Sequence, residues 1–278
     1  MSYSHPLNSI LEDDSIQLEQ HGSILKIWLN RPDSRNAMSL KMVKSIMNVF
    51  KAIADDHSVR AVVFRGHGRH FCAGGDIKDM AGIRAEAMNV GNNKPYIDFN
   101  RQFGAMIEMV DQAPQTVVAI LEGAVLGGGF GLACVSDIAI SLADAQFGLP
   151  ETGLGILPAQ IAPFVVKRVG LTQARRLALL GGRFSGDKAL QFGVVHEVAD
   201  TSMALEQMIE TTLEQIKRTA PLASRATKAL LHRASTQEAL TTLLDDAAVQ
   251  FADAVNSAEG MEGTMAFIQK RKPTWADE

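Results

Sequence analysis

A β-branched run, TVVAIL at residues 116–121, leads straight into GAVLGGGFGLACVSD at residues 123–137. That order predicts a buried strand, a glycine turn and a short helix, and so limits the chain to folds that place helices beside buried strands. The rest of the first half agrees. Residues 15–20 alternate apolar and polar as a half-buried strand does, and residues 24–29 form a second strand ended by the turn signal NRPD. Leu40, Val43, Ile46, Met47, Phe50 and Ile53 fall at helical spacing, with Ser39 placed to cap the helix. Residues 61–64 are a short buried strand before the loop RGHGRHFCAGGD; residues 96–110 read as a helix and residues 137–140 as another strand. Strands separated by helices imply right-handed crossovers and parallel pairing, hence an α/β fold.

Beyond about residue 159 the pattern predicts helices only. Ala239, Leu240, Leu243, Leu244, Ala247, Phe251 and Ala254 line one helix face, with Ser235 and Glu238 as a capping box at its start. Such a face must pack on the parent domain or on a neighbouring subunit. The two regions divide near residue 200, without a linker, into 1–199 and 200–278.

Composition excludes several functions. The net charge is −4 with no polybasic stretch, which argues against nucleic acid or an anionic membrane as partner. No apolar run approaches the roughly 20 residues that span a bilayer. The first residues, MSYSHPLNSILEDDS, lack the features of a signal or transit peptide. Two cysteines, Cys72 and Cys134, make neither a disulfide framework nor a metal cluster. The expected setting is soluble, reducing and cytoplasmic, with no metal.

The glycines at 127–129 and 131 do not fit a dinucleotide fingerprint. G-x-G-x-x-G from Gly127 needs a glycine where Leu132 stands, and from Gly129 one where Cys134 stands. Two readings stay open: close helix–strand packing, or a helix N-terminus whose free N–H groups point into a site. A second stretch, FCAGGDIKD at 71–79, also follows a buried strand, and two such strand ends can converge. Two N–H donors aimed at one oxygen form an oxyanion hole, worth about 3–4 kcal/mol per donor to an enolate-like transition state. A third stretch, FGLPETGLG, sets Glu151 in an apolar neighbourhood that would raise its pKa towards neutrality.

These three stretches, with NRPDSRNAMS at 30–39, resemble the enoyl-CoA hydratase/isomerase (crotonase) family from about residue 15 to the terminal KRKPTW. The resemblance implies a spiral of ββα units with parallel sheets, followed by a C-terminal helical oligomerisation region. It implies an acyl-CoA substrate and no permanently bound cofactor, coenzyme A arriving within the thioester. It implies a homotrimer or homohexamer. By the same resemblance, the N–H groups of Gly75 and Gly128 hold the thioester oxygen and Glu151 is the acid–base. Ala37, Ala73, Asp76 and Ile77 match the edge that holds adenine and ribose, and Lys78 matches a lysine near the CoA phosphates. Phe267 and Lys270 match residues that reach a neighbouring subunit's CoA.

The chain departs from the family at one position. Typical hydratases carry a second glutamate three residues after the residue matching Gly128, and here that position is Gly131. The aspartate of the dienoyl isomerase branch would fall at Ala159, and Asp137 reads as structural. Hydration by one glutamate, double-bond isomerisation by one glutamate, and CoA-thioester binding with little activity all remain open. LGGGFGLACVSD with GILPAQIAPFVV is similar to the branch that acts on 3-branched glutaconyl-CoA thioesters. In that setting Gly131 would free volume beside the β-carbon. Gln160 is a candidate for orienting the water or a distal substrate carboxylate, which Arg84, Lys94 or Arg101 could pair. His67 and His70 read as loop residues.

Overall fold

The computed structural model describes residues 6–236 and 238–277. A six-stranded sheet forms the centre, built from β1 (Ile16–His21), β2 (Ile24–Leu29), β3 (Ala61–Gly66), β4 (Thr116–Leu121), β6 (Ile138–Leu142) and β9 (Glu197–Ala199) in that spatial order. Only the β1–β2 pair is antiparallel; every later pair is parallel. A smaller sheet has β5 (Ala124–Leu126), β7 (Gln146–Gly148) and β8 (Arg183–Ser185), parallel and then antiparallel.

Helix α1 (Leu40–Ile53) begins as expected, with Met42 N–H donating to Ser39 Oγ at 3.2 Å. It buries Met42, Val43, Ile46, Val49, Phe50 and Ile53. Helices α2 (Ile77–Val90) and α3 (Lys94–Asp111) fill the crossover from β3 to β4. Helix α4 (Gly128–Val135) is wholly apolar beyond its glycines and lies in the core; α5 (Ala162–Leu180) packs on it.

Strands are not confined to the first half. β8 and β9 both lie beyond residue 159, and α6 (Gly186–Gln191) joins them. Three-residue strands are too short to show a period, so the apparent helix-only pattern hid them. α7 (Ser202–Arg218) inserts Leu205, Ile209 and Ile216 against Ile24, Val63, Val118, Ile120 and Ile140, covering the sheet's second face. Then follow α8 (Pro221–Ala234), α9 (Leu240–Asn256) and α10 (Ala258–Ile268).

The capping box at 235–238 does not form. Ser235 ends α8, its hydroxyl donating to His232 O at 2.7 Å, and Glu238 pairs with Arg233 at 2.6 Å. Helix α9 starts at Leu240, after Ala239, without a side-chain cap. Of its expected apolar face Leu243 is buried, whereas Leu240, Leu244 and Phe251 are exposed, Phe251 to 71%.

Candidate active site

The small sheet extends beyond its named strands. Residues 71–75 run alongside β5: Phe71 N–H donates to Glu122 O, Cys72 N–H to Ala124 O, and Leu126 N–H to Cys72 O. This is a parallel bridge in which Cys72 faces Val125. Parallel register is carried forward residue by residue, so Gly74 comes opposite Gly127 and Gly75 opposite Gly128. The contact is close. A β-carbon at Gly127 would lie 3.6 Å from Gly74 Cα and 2.8 Å from Glu151 Oε1. β7 supplies Glu151 in the same way: Gly127 N–H donates to Gly148 O, and Glu151 opens the single 3-10 turn that follows. All three stretches therefore leave the carboxyl ends of neighbouring parallel segments, the edge at which open α/β sheets bind ligands.

The donors point outward. Met38 N–H donates to Gly74 O and Asp76 N–H donates to Met38 O, on one side of the segment. The N–H of Gly75 between them points to the other side, because successive groups alternate along a strand. A β-carbon at Gly75 would meet nothing within 4 Å. Gly128 opens α4, whose first helical bond is Gly131 N–H to Gly127 O at 2.9 Å, so the Gly128 N–H has no intrahelical partner. Gly127 holds φ +49° with ψ −115°, and Gly74 φ +104°, conformations that only glycine adopts readily.

Glu151 is half-buried. Its Oε2 is shut from solvent with no hydrogen-bond partner among the described residues. Burial raises its carboxyl above the usual carboxylate range, partly offset by a bond from its own backbone N–H.

Gly131 does not open space. A β-carbon there would fall 2.2 Å from Ile161 Cγ2. Ile161, fully buried at the start of α5, occupies the volume expected to lie free beside the substrate. Phe103 of α3, unanticipated from sequence, lies over the other glycine, with Cζ 3.0 Å from a β-carbon at Gly128. No periodicity marks these two residues apart from ordinary core.

The NRPDSRNAMS segment organises the neighbouring edge. Arg31 Nη1 donates to Ala37 O at 2.5 Å and Nη2 pairs with Asp76 at 2.5 Å. Ala73 N–H donates to Arg35 O at 2.9 Å. Asp76 accepts from Lys78 N–H at 2.8 Å, capping α2. Burial opposes ionisation of Asp76, but Arg31 and the Lys78 N–H outweigh it and hold its carboxyl below the ordinary range. Ala37, Ala73, Asp76, Ile77 and Lys78 are thus contiguous with Gly75, and Ile77 is 80% exposed. Phe267 and Lys270 stand at the far end of α10, which packs on α9; Phe267 is 86% exposed.

The remaining candidates divide. Gln160 Nε2 donates to Asn100 Oδ1 at 2.9 Å, beside Gly104 of α3. Lys94 pairs with Asp98 and Arg101 with Glu108, all exposed; Arg84 is exposed on α2. Asp137 accepts from Val117 N–H and Lys228 Nζ, a structural tie. His70 Nδ1 accepts from Ala124 N–H, and His67 stacks on Trp28. Both cysteines are buried free thiols, pushed up to about 12 by desolvation. Among the described residues no group of three or more His, Cys, Asp and Glu could hold a metal ion, and no helix is long and apolar enough to cross a membrane.

Comparison with known proteins places this geometry. The family model described as enoyl-CoA hydratase/isomerase matches residues 19–278. Pseudomonas aeruginosa AtuE superposes with a TM-score of 0.91 at 61% identity, over 94% of this chain and 99% of that one. The carnitinyl-CoA dehydratase of Proteus mirabilis is 32% identical over 267 residues, 94% of this chain and 98% of its own. The 2,3-dehydroadipyl-CoA hydratase of Escherichia coli is 31% identical over 251 residues, 90% and 94%. With two glycine strand ends and a buried glutamate at one sheet edge, and with relatives of this kind along nearly its whole length, the chain belongs to the enoyl-CoA hydratase/isomerase family and is an enzyme of the hydratase type acting on CoA thioesters.

Proposed function

We propose that the chain hydrates a 3-branched glutaconyl-CoA thioester, isohexenylglutaconyl-CoA of acyclic terpene breakdown, with 3-methylglutaconyl-CoA as the shorter candidate. The observation that carries the chemistry is the buried, unpartnered carboxylate oxygen of Glu151 beside the Gly74–Gly127 contact; the choice of acyl group rests on the likeness of LGGGFGLACVSD and GILPAQIAPFVV to the glutaconyl branch. In this reading the N–H groups of Gly75 and Gly128 hold the thioester oxygen. Glu151, as carboxylate, takes a proton from water while the water oxygen bonds to the β-carbon. The displaced electron pair moves through the α-carbon onto the thioester oxygen, where the two donors stabilise the enolate. Protonated Glu151 then gives its proton to the α-carbon, and the thioester carbonyl and the carboxylate re-form. A carboxyl raised by burial suits both halves, because it accepts a proton more readily than an ordinary glutamate and can still return it.

Ala37, Ala73, Asp76 and Ile77 would cradle adenine and ribose, with Lys78 near the phosphates. Phe267 and Lys270 would complete a neighbouring subunit's site in a homotrimer or homohexamer.

A second reading is favoured by Ile161 standing where the other glutamate would project. A single glutamate can also carry a proton between the α- and γ-carbons and so move a double bond. A proton NMR time course in D₂O with 3-methylglutaconyl-CoA, then the isohexenyl thioester, decides. A hydroxyl appearing on the branched carbon is the expected outcome. Double-bond migration or deuterium exchange without hydration establishes the isomerase. Tight CoA-thioester binding without either reaction leaves a binding subunit.

A further inference from the structure

Gly104 breaks a local rule. It lies inside α3 with no turn to make, where glycine is destabilising relative to alanine. The reason lies on another segment. A β-carbon at Gly104 would fall 1.8 Å from Gln160 Oε1 and 2.8 Å from Arg101 Nη1. The missing side chain is a notch in which the Gln160 amide is seated, and Gln160 Nε2 donates to Asn100 Oδ1 at 2.9 Å. Asn100, Phe103 and Gly104 share one face of α3 by helical spacing. Phe103 is the residue over Gly128, and Ile161, next to Gln160, is the residue over Gly131. The amide pair is therefore tied to the residues over both glycines, through Phe103 on the same helix face and Ile161 next in the chain.

That pair has donors to spare. Gln160 uses one of its two Nε2 hydrogens, and no acceptor is assigned to Asn100 Nδ2 among the described residues. The charged groups facing it are Arg101, whose Nη1 borders the notch, and Glu108, held by Arg101 Nη2 at 2.7 Å. Spare amide donors, with Arg101 Nη1 at the notch and its Nη2 already paired to Glu108, suit an anionic guest.

We propose that Asn100 and Gln160, with Arg101 beside them, form the subsite for a second carboxylate on the acyl group, and so restrict the enzyme to dicarboxylic acyl thioesters. The proposal rests on the hydratase reading and deepens it. In a glutaconyl thioester the distal carboxylate is four carbon–carbon bonds from the thioester carbon, a span close to one helical turn of about 5.4 Å. Phe103, beside Gly128, and Asn100, holding Gln160, are three residues apart, a rise of about 4.5 Å. A neutral amide pair receives the carboxylate without the repulsion that a second glutamate would impose.

The test compares binding of glutaryl-CoA and butyryl-CoA, unreactive thioesters with and without the second carboxylate, by calorimetry. Gln160→Leu, Gln160→Glu and Gly104→Ala are set against the unaltered enzyme. Each variant is expected to weaken glutaryl-CoA by about tenfold or more, and Gln160→Glu most. Each should leave butyryl-CoA within about twofold. Gly104→Ala is the sharper variant, because it unseats Gln160 while keeping its amide. Equal weakening of both ligands would make the pair a structural tie and overturn the proposal; so would no weakening of either. The hydratase reading fails separately, if the unaltered enzyme leaves a 3-branched glutaconyl thioester unhydrated while still preferring glutaryl-CoA to butyryl-CoA.

Discussion

Glu151 joins the chemistry to the stability of the fold. Its carboxyl is raised by burial, so the folded state binds the proton more tightly than the unfolded chain does. As pH climbs from the ordinary glutamate range through the raised value, that preference is lost and stability falls. Glu151→Gln removes the ionisation. The variant should therefore unfold at a higher temperature than the parent at pH 8, and the difference should shrink towards pH 4, as followed by thermal melts across pH. Its turnover should drop about 10²–10⁴-fold while CoA-thioester binding survives. Unchanged turnover would remove Glu151 from the mechanism. In the parent the rate should rise with pH through a value above that of an ordinary glutamate, since the carboxylate must accept the first proton.

At the scale of elements, the N-terminus of α4 is squeezed between Phe103 of α3 and Ile161 at the start of α5. Gly131→Glu, which would install the family's usual second glutamate, meets Ile161 before it meets substrate. It should destabilise the fold by about 1–3 kcal/mol in urea titration without raising the rate of hydration. Pairing it with Ile161→Ala should recover most of the stability. Sequence gave no warning of this. Elements with a clear period were legible: β2 and β4 match their expected limits, and α1 begins at its cap. The three-residue strands β5, β7, β8 and β9 were not, because period 2 has nothing to act on over so few residues. α2 was legible only as a helix start, its exposed apolar residues giving no buried stripe. For the site, the three stretches and Glu151 could be singled out by their glycines and apolar surroundings. That Cys72 pairs with Val125, which puts Gly75 opposite Gly128, is a tertiary fact without a local signature. Ser235 and Glu238 show the converse, a motif with correct spacing whose members serve α8 and Arg233 instead.

For the whole molecule, α9 and α10 leave Leu240, Leu244, Phe251, Phe267 and Ile268 exposed on a single chain. Large apolar side chains left exposed in that number on two neighbouring helices are ordinarily covered. Light scattering is expected to give a mass of three or six chains. Phe267→Ser should weaken CoA-thioester binding in the assembly if that ring reaches a neighbour's site. A monomeric mass would remove both Phe267 and Lys270 from the CoA site.

The pairings that join residues 71–75 to β5 and β5 to β7 also determine which changes of length the chain can absorb. The donor at Gly75 and the donor at Gly128 each stand three residues beyond the bridged pair Cys72 and Val125. Adding one residue on either side of that count would slide one donor past the other and turn its N–H to the opposite face. A residue added at the Gly91–Asn93 connection between α2 and α3 would lengthen an exposed turn and leave these pairings in place. Lineages descending from this chain should therefore vary freely in length around residue 92, while the counts from Cys72 to Gly75 and from Val125 to Gly128 stay fixed even where the residues between them change.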